Sequence, residues 1–377
     1  MRRVESTLGR RAASLALALS AFMALPASDD AWPQVPLDLE LVYPRDHGAH
    51  PDFRTEWWYV TGQGATASGR VFGVQFTIFR AALAPPGSVD EAEGARSRQA
   101  FAGHFAITDV ASGEVRFAER LRRGGTPLAH ASTTDMDVRL DGWRISRDAG
   151  TGHLIVTASD AVAGIGVDLE LVPTKPLVLH GEDGYSSKGG EAGNASAYAS
   201  FTRLALDGEV RVDDASFALD GLAWFDQEFG SSVLGAGVVG WDWFGLHLDD
   251  GRDLMAFVLR REDGTLDPAS AATLVDEDGA PRALTAEEFT LTSRGAWTSP
   301  VTGATYPNRW SLAIESAGLQ LELAPRVADC ELVTENSTGV SYWEGPVLIE
   351  GTSNGAPVGG SGYGELTGYA GSMGGRL

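Results

Sequence analysis

The sequence predicts an all-β protein, built as sandwiches or closed barrels, and three observations support this fold class. Residues 71–80, 167–171 and 319–323 alternate apolar and polar side chains, as half-buried strands do. In the first of these runs one face carries Phe72, Val74, Phe76 and Ile78. Asp-Gly pairs, which are typical of tight hairpin turns, recur between such runs and begin at positions 141, 183, 207, 220, 250, 263 and 278. Helix signals are scarce, and residues 285–289 predict a single capped turn.

The length of the chain predicts two domains. A chain of 377 residues can form two units that each have a hydrophobic core. One strand-rich block ends near residue 206 and a second runs from about residue 211 to residue 369. We therefore predict one domain over residues 38–210 and another over residues 211–370. Cys330 is the only cysteine, which excludes an intramolecular disulfide and a cysteine-ligated zinc site.

The first residues read as a signal peptide over residues 1–27. Four arginines precede an apolar stretch, residues 12–25, that is too short to span a bilayer comfortably. We therefore expect a periplasmic or secreted protein, with the general secretory route favoured over the twin-arginine route that Arg10 and Arg11 suggest. An uncleaved membrane anchor is the main alternative. No later segment is long and apolar enough to predict a membrane helix, so we expect no integral span after leader cleavage.

The net charge bears on possible partners. The formal charge at pH 7 is −22, which disfavours nucleic acid and anionic membrane surfaces. Solubility alone is the plainer explanation of such a charge. Nothing in the composition predicts the oligomeric state.

Two distant segments combine tryptophans with carboxylates. Residues 51–62 contain Glu56, Trp57 and Trp58. Residues 224–232 and 240–244 contain Trp224, Asp226, Glu228, Trp241, Asp242 and Trp243. Tryptophans offer an apolar ligand flat surfaces, and a carboxyl group in such surroundings acquires a shifted pKa. The combination predicts a pocket for a hydrophobic molecule, with proton-transfer chemistry inside it.

A strand interpretation of these segments yields candidate catalytic residues. Period two places Trp224, Asp226 and Glu228 on one face, and Trp241, Trp243 and His247 on one face of the next strand. Hydration of an alkene needs a proton donor, a surface that tolerates a carbocation, and water. We take Asp226 as the first candidate for the acid and Asp242 as the second, with Glu228 or Gln227 holding the water. The alternative is structural pairing of these carboxylates with arginines such as Arg54, Arg80 or Arg203.

Further residues are candidates for ligand contact. They are Glu56, Trp57, Trp58, His104, Trp224, Trp241, Trp243, Tyr342 and Trp343. For Glu56 and His104 the structural alternative is a buried side chain bonded to arginine or backbone. The pair His47 and His50 suggests a metal only weakly, and we predict no metal site. Residues 351–355 match a nucleophile-elbow pattern, but no histidine follows them, so we interpret them as an Asn-Gly turn.

Several of these stretches resemble a known family, the carotenoid 1,2-hydratase and AttH-type proteins, in particular the bacterial branch labelled predicted secreted hydrolases. The similar stretches follow one order along the chain: residues 51–62, 103–109, 188–196, 224–232, 240–244, 248–252 and 342–345. The resemblance implies two lipocalin-like antiparallel β-barrel domains packed together, and it implies no cofactor. Some relatives hydrate an isolated double bond of an acyclic carotenoid. Distant relatives are pericyclases or hydratases of secondary metabolism, and many members have no assigned activity.

One stretch departs from the family pattern. Relatives commonly read Trp-x-Asp-His-Glu-Trp-Gly, or carry Arg for the His, whereas this chain has Gln227 and Phe229 in place of the His and the second Trp. In the hydratases those two residues are thought to lie near the reacting bond. The departure therefore argues against carotenoid hydration and leaves the expected fold unchanged.

Residues and resemblance together predict a protein that accommodates a hydrophobic isoprenoid- or lipid-like molecule. The first expectation is a cofactor-free hydratase or isomerase with a carboxyl group as general acid. The alternatives are a non-catalytic lipid carrier and, third, a hydrolase. An enzyme requires carboxyl groups that face a pocket without arginine partners, whereas a carrier requires a smooth apolar cavity. Because small barrels can be filled by their own side chains, the cleft between the domains is an alternative place for the site.

Overall fold

A computed structural model of the protein describes residues 32–87, 98–191, 193–232 and 234–373. The predicted leader over residues 1–27 lies outside these residues and stays a prediction. The described residues form 25 strands and two short 3₁₀ helices, Arg45–His47 and Glu315–Ala317. None of the helices found there has the length and apolarity needed to cross a membrane.

The first thirteen strands form one antiparallel sheet. They are β1 Thr55–Ala65, β2 Val71–Ala82, β3 Gln99–Asp109, β4 Glu114–Arg123, β5 Ala129–Ala131, β6 Asp137–Leu140, β7 Trp143–Arg147, β8 Leu154–Asp160, β9 Ile165–Pro173, β10 Val178–Leu179, β11 Tyr185–Ser187, β12 Ala195–Val212 and β13 Ala215–Gly230. The spatial order is β4-β3-β2-β1-β13-β12-β9-β8-β7-β6-β5, and β10 and β11 pair with β12.

The remaining strands form a second antiparallel sheet of ten strands and a separate pair. They are β14 Val238–Leu248, β15 Asp253–Arg261, β16 Ala271–Val275, β17 Pro281–Thr285, β18 Thr290–Arg294, β19 Trp297–Thr298, β20 Thr305–Tyr306, β21 Arg309–Ile314, β22 Leu319–Pro325, β23 Glu331–Val333, β24 Ser341–Ser353 and β25 Ala356–Leu366. The order is β17-β16-β15-β14-β25-β24-β22-β21-β18, with β23 on β24 and with β19 paired to β20. The predicted all-β fold of two antiparallel units packed together is confirmed.

Each sheet encloses its own hydrophobic core. The predicted apolar faces of β2 and β9 contribute to the first core, and that of β22 contributes to the second. Trp58 and Phe225 are buried in the first core, and Phe244 and Trp310 are buried in the second. Since these side chains fill the interior of both units, the interior offers little room for a ligand.

The change of sheet falls after Gly230, later than the boundary predicted at residues 210 and 211. The prediction took Asp207-Gly208 and Asp220-Gly221 as turns, whereas both pairs lie inside the long strands β12 and β13. At Gly221 a Cβ atom would lie 2.0 Å from the carbonyl oxygen of Gln63 on β1. Glycine is required there for close approach of two strands, so the dipeptide imitates a hairpin signal.

The two units pack against each other through the outer faces of their sheets. Strand β1 contacts β25, β2 contacts β24, and β12 contacts β15. A third cluster of buried side chains, with Tyr59, Tyr198, Trp224, Trp243 and Phe257 among its members, lies at this junction. Along β1 the odd-numbered residues from 55 to 63 face the junction, and Glu56, Trp58 and Val60 face the other side.

We predict that Gly221→Ala destabilises the protein. The added methyl group must displace the carbonyl of Gln63, and overpacking of this kind costs about 1–3 kcal/mol. Gly190→Ala is the matched control, because a Cβ atom there meets no atom within 4 Å and the change is expected to stay within about 0.5 kcal/mol. Urea unfolding of both variants measures the difference. Equal stability of the two variants would contradict the close approach of β13 and β1.

Candidate functional site

A cavity of about 180 Å³ lies at the junction between the two units. Strands β1, β2, β3, β12 and β13 of the first sheet and β14, β15, β24 and β25 of the second contribute to its walls. This candidate site therefore lies in the cleft between the domains, the alternative place predicted from the sequence.

Eight aromatic side chains line the cavity. They are Trp57, Tyr59, Phe79, Tyr198, Trp241, Trp243, Phe257 and Tyr342. Trp57, Phe79 and Trp241 keep part of their surface accessible, whereas Trp243 and Tyr198 are buried. Accessible aromatic surface in a concave site is typical of a binding pocket for an apolar group.

Asp226 is the carboxyl group most nearly enclosed by this wall. Strand β13 alternates, so Asp226 faces the cavity while Phe225 faces the first core. Its Oδ2 accepts a hydrogen bond of 2.8 Å from Tyr198 OH, and its Oδ1 accepts bonds from Ser200 Oγ and, at 2.6 Å, from Trp224 Nε1. Only 3% of the residue is exposed.

No cation among the described residues neutralises the charge of an ionised Asp226. Within the described ranges no lysine, arginine or histidine forms an ion pair with it. Burial raises its pKa to about 7, against the smaller opposing effect of the hydrogen bonds from Ser200, Trp224 and Tyr198. Near neutral pH this carboxyl group therefore holds a proton part of the time, as a general acid must.

A buried polar network holds Asp226 in place from behind. His180 Nε2 lies 2.7 Å from Ser200 Oγ, and His180 Nδ1 lies 2.8 Å from Thr273 Oγ1. Burial lowers the pKa of His180 to about 3, so the ring is neutral. Since Ser200 donates to Asp226, the hydrogen of His180 lies on Nε2 and donates to Ser200.

Glu228, two residues along β13, also lines the cavity but is paired. Lys188 Nζ lies 2.9 Å from Glu228 Oε1, and Ser196 Oγ donates to the same oxygen. The ammonium group also lies 4.4 Å from the centre of the Phe257 ring. This ion pair is one polar part of the cavity wall and can bind a water molecule.

A second pair of carboxyl groups lies at the cavity. Glu365 on β25 lines it, and Trp241 Nε1 donates to Glu365 Oε1 at 2.6 Å. Glu344 on β24 faces Glu365 in the strand register, and Tyr59 OH donates to Glu344 Oε1 at 2.5 Å. Burial raises the pKa of Glu365 to about 7 and that of Glu344 well above its usual range.

His104 joins the two units at the edge of the cavity. Its Nδ1 lies 2.7 Å from Tyr342 OH, and its Nε2 lies 2.9 Å from Ser337 Oγ. Burial lowers the pKa of His104 to about 3. Ser337 donates to Glu119 at 2.5 Å, so His104 Nε2–H donates to Ser337 and Tyr342 donates to His104 Nδ1.

Seven of the residues predicted from the sequence as site residues line the cavity. They are Asp226, Glu228, Trp57, His104, Trp241, Trp243 and Tyr342. Trp224 lies directly behind, bonded to Asp226. The catalytic and ligand-binding roles assigned to these residues stay predictions.

Four predicted residues lie elsewhere. Asp242 points away from the cavity, where Arg260 Nε lies 2.9 Å from its Oδ1 and Tyr369 OH also donates to it. Trp343 belongs to the core of the second unit and donates to the carbonyl of Ala328. The reason is strand alternation, since each is the neighbour in sequence of a residue that faces the cavity.

Glu56 and Trp58 likewise face the interior of the first unit. Glu56 is buried between Arg80, whose Nε lies 3.0 Å away, and His50, whose Nδ1 lies 2.8 Å away. Burial alone would raise the pKa of Glu56, but the bonds from His50 and the charge of Arg80 hold it below its usual value. Glu56 and Asp242 therefore pair with arginines, which is the structural alternative to a role in the site.

The two departures from the family pattern also lie outside the cavity. Gln227 Nε2 donates to the carbonyl of Gly48 at 3.0 Å and to Glu56, and the Phe229 ring stacks on His50 with centroids 3.6 Å apart. The residues at positions 227 and 229 therefore do not alter the cavity wall.

The residues weighed for other chemistry have structural partners. His50 bonds Glu56 and lies 3.4 Å from Asp46. Over the described ranges no group of three or more His, Cys, Asp and Glu side chains is arranged to hold a metal ion. Ser353 lies at the end of β24, and Asn354 and Gly355 form the turn to β25, as the Asn-Gly interpretation predicts.

Sequence reasoning missed Tyr59, Lys188, Tyr198 and Glu365. Tyr59 was within reach of the period-two argument, because it shares a face with Trp57. Glu365 gave no such signal, since it lies among glycines and reaches the cavity only through the pairing of β24 with β25.

Comparison with known proteins identifies the family of the chain. A family model described as AttH-like matches residues 34–369. A crystal structure of a protein described as AttH from Nitrosomonas europaea is 35% identical, with a TM-score of 0.79 over 89% of this chain and 99% of that one. Kievitone hydratase from Nectria haematococca shares the fold at 17% identity, with a TM-score of 0.63 over 89% of this chain and 95% of that one. No curated protein matches the chain. The chain belongs to the AttH-like family.

Proposed function

We propose that the protein is a cofactor-free hydratase or isomerase that protonates a carbon–carbon double bond of an apolar, isoprenoid-like molecule in the cavity between its two units. Asp226 is the general acid. The observation that carries the proposal is a buried carboxyl group with no cationic partner that opens onto an aromatic cavity. The sequence-based expectation of a leader extends the proposal to a periplasmic or secreted protein.

The surroundings of Asp226 suit an acid rather than a structural carboxylate. Glu56 and Asp242 are bonded to Arg80 and Arg260, whereas Asp226 is bonded to neutral donors. A carboxyl group kept neutral by an apolar site is able to donate a proton at neutral pH. A carrier needs a smooth apolar cavity and has no use for such a group, so enzyme chemistry is favoured over transport.

The size of the cavity limits what it accepts. An engineered cavity of about 150 Å³ holds benzene, so a cavity of about 180 Å³ holds an apolar group of similar size. A branched five-carbon prenyl end fits this limit, and the rest of a longer chain would extend through the cleft. We therefore propose a molecule with a terminal trisubstituted double bond.

The walls suit the charge that protonation creates. Protonation of a trisubstituted alkene yields a tertiary carbocation. Trp57, Trp241 and Trp243 line the cavity, and indole rings stabilise a nearby cation. The ion pair of Glu228 and Lys188 can hold the water that captures the cation. Without that water, loss of a neighbouring proton gives an isomerised alkene.

The name of one structural neighbour indicates whether hydration or isomerisation should be assayed first. Kievitone hydratase shares the fold, and its name describes addition of water. At 17% identity this likeness concerns the fold alone, and it makes hydration the first reaction to assay.

We predict that Asp226→Asn reduces hydration of 3-methylbut-2-en-1-ol or geraniol by about 100-fold or more, the usual contribution of a general acid. Incorporation of ¹⁸O from labelled water, followed by mass spectrometry, measures the reaction. The wild-type rate falls about tenfold per pH unit above pH ~7, because the acid must be protonated and the pKa of Asp226 is about 7.

Asp220→Asn is the matched control, since Asp220 lies on the same strand but is exposed. It should retain the wild-type rate. Loss of activity in both variants, or in neither, would contradict the role of Asp226.

We also predict that Asp226→Asn becomes increasingly stable relative to wild type as the pH rises. The pKa of Asp226 is raised in the folded protein, so between pH ~4 and ~7 the folded state holds a proton that the unfolded chain has lost. The stabilisation that protonated Asp226 gives the wild type is therefore lost as the pH rises through that window. In Asp226→Asn no group titrates at this position, so the variant keeps its stability. Each pKa unit corresponds to about 1.4 kcal/mol, so the difference grows by ~3 kcal/mol between pH ~5 and ~8.

Urea unfolding of wild type, Asp226→Asn and Asp220→Asn at several pH values measures this difference without any ligand. A difference between Asp226→Asn and wild type that is independent of pH would mean that Asp226 is ionised in the folded protein throughout, and the proposed acid would be lost.

A further inference from the structure

Glu344 and Glu365 are neighbouring carboxyl groups on adjacent strands. The two residues face each other in the register of β24 and β25. Glu344 Oε2 is buried and receives no hydrogen from any N–H or O–H group of the described residues. Two ionised carboxylates can only accept hydrogen bonds, so a favourable contact between these groups requires a proton on one of them.

No cation among the described residues neutralises the charge of this pair. In the part of the chain that the structure describes, neither Glu344 nor Glu365 forms an ion pair with lysine, arginine or histidine. Two like charges side by side in a buried site cannot both persist, so such a pair retains one proton.

The surroundings indicate which group holds that proton. Glu344 is 1% exposed, and Tyr59 reaches its Oε1. Glu365 lies at the cavity surface, where Trp241 Nε1 donates to it and stabilises a carboxylate. Glu344 is therefore the protonated member and donates to Glu365, whose carboxylate faces the cavity.

We infer that Glu365 is the base of the site, that it takes a proton from the attacking water, and that Glu344 positions it by sharing a proton. The base assignment rests on the proposed function, whereas the shared proton does not. Together with Asp226 the pair makes the cavity bifunctional, with an acid on the first unit and a base on the second.

The reaction balances with these two groups. The π electrons of the alkene take the proton of Asp226 and form a C–H bond. A lone pair of water forms the C–O bond to the tertiary cation, and that water loses one proton to Glu365. Return of this proton to Asp226 through water in the cavity restores both groups, and the net change is addition of one water to the alkene.

The shared proton is tested without a substrate. We would follow the side-chain carboxyl ¹³C resonances of the uniformly labelled full chain over pH ~5 to ~8, assigning Glu344 and Glu365 by their loss in Glu344→Gln and Glu365→Gln. We expect the Glu344 resonance to stay protonated throughout and the Glu365 resonance to titrate. In Glu344→Gln the midpoint of Glu365 should stay within about half a pH unit of its wild-type value, because the amide, like a protonated carboxyl group, is uncharged and donates a hydrogen bond.

Asp226→Asn is the control for this experiment and should leave the Glu344 signal protonated. Two ionised resonances at pH ~6 would overturn the shared proton. So would a fall of the Glu365 midpoint by about one pH unit or more in Glu344→Gln, because such a fall means that Glu344 carries a negative charge in the wild type.

The role of Glu365 as a base is tested with 3-methylbut-2-en-1-ol in D₂O and in ¹⁸O-labelled water. Reversible protonation by Asp226 exchanges the vinylic hydrogen for deuterium, whereas capture by water incorporates ¹⁸O. We expect Asp226→Asn to lose both, and Glu365→Gln to keep deuterium exchange while losing ¹⁸O incorporation by about tenfold or more. Glu350→Gln, an exposed change on β24, should lose neither.

The outcomes separate the two proposals. Equal loss of exchange and ¹⁸O incorporation in Glu365→Gln, or loss of neither, would overturn the base assignment while leaving Asp226 as the acid. A wild type that does neither reaction overturns the proposed function for prenyl alkenes and with it the base, while the resonance titration decides the shared proton by itself.

Discussion

Burial of carboxyl groups without cationic partners among the described residues, at the contact between two antiparallel β-sheet units, is the constraint on which the site depends. Asp226 and the Glu344–Glu365 pair are surrounded by aromatic rings and by neutral donors from tyrosine, serine and tryptophan. Removing an ionised carboxylate from water is costly, so these groups retain protons near neutral pH. The same junction also contains a buried carboxyl group that is paired with cations, Asp253. Burial alone would raise its pKa, but bonds from His247, Arg203 and Lys175 hold its pKa below the usual value.

Because side chains alternate along a strand, neighbouring residues in the sequence face different parts of the molecule. On β1, Trp58 fills the first core while Trp57 and Tyr59 face the cavity. On β14, Phe244 fills the second core while Trp243 faces the cavity and donates to Tyr198 OH at 3.0 Å. Each unit therefore completes its own core, and the outer faces remain to be shaped by their contact. A site made in this way needs both units, because neither sheet alone encloses the cavity.

Much of the fold and part of the site could be predicted from the sequence. Period two correctly placed Trp224, Asp226 and Glu228 on one face, because that pattern is local. It does not say which face meets the other unit, which is why Asp242 and Trp343 were included. Glu365 required the register of β24 against β25, a long-range pairing without a local signal. The boundary was misplaced because glycines that permit close strand contact resemble hairpin glycines.

The central claim is that Asp226 and the Glu344–Glu365 pair hold protons at the aromatic cavity between the two units, and neutron diffraction tests it most directly. Crystals of the full chain grown in D₂O at pH ~6 would reveal each deuterium on the carboxyl groups. The account predicts one deuterium on Asp226 and at least one on the Glu344–Glu365 pair, with none on Glu56. Bare carboxylates at Asp226, Glu344 and Glu365, each bonded to a cation or to ordered water, would contradict it.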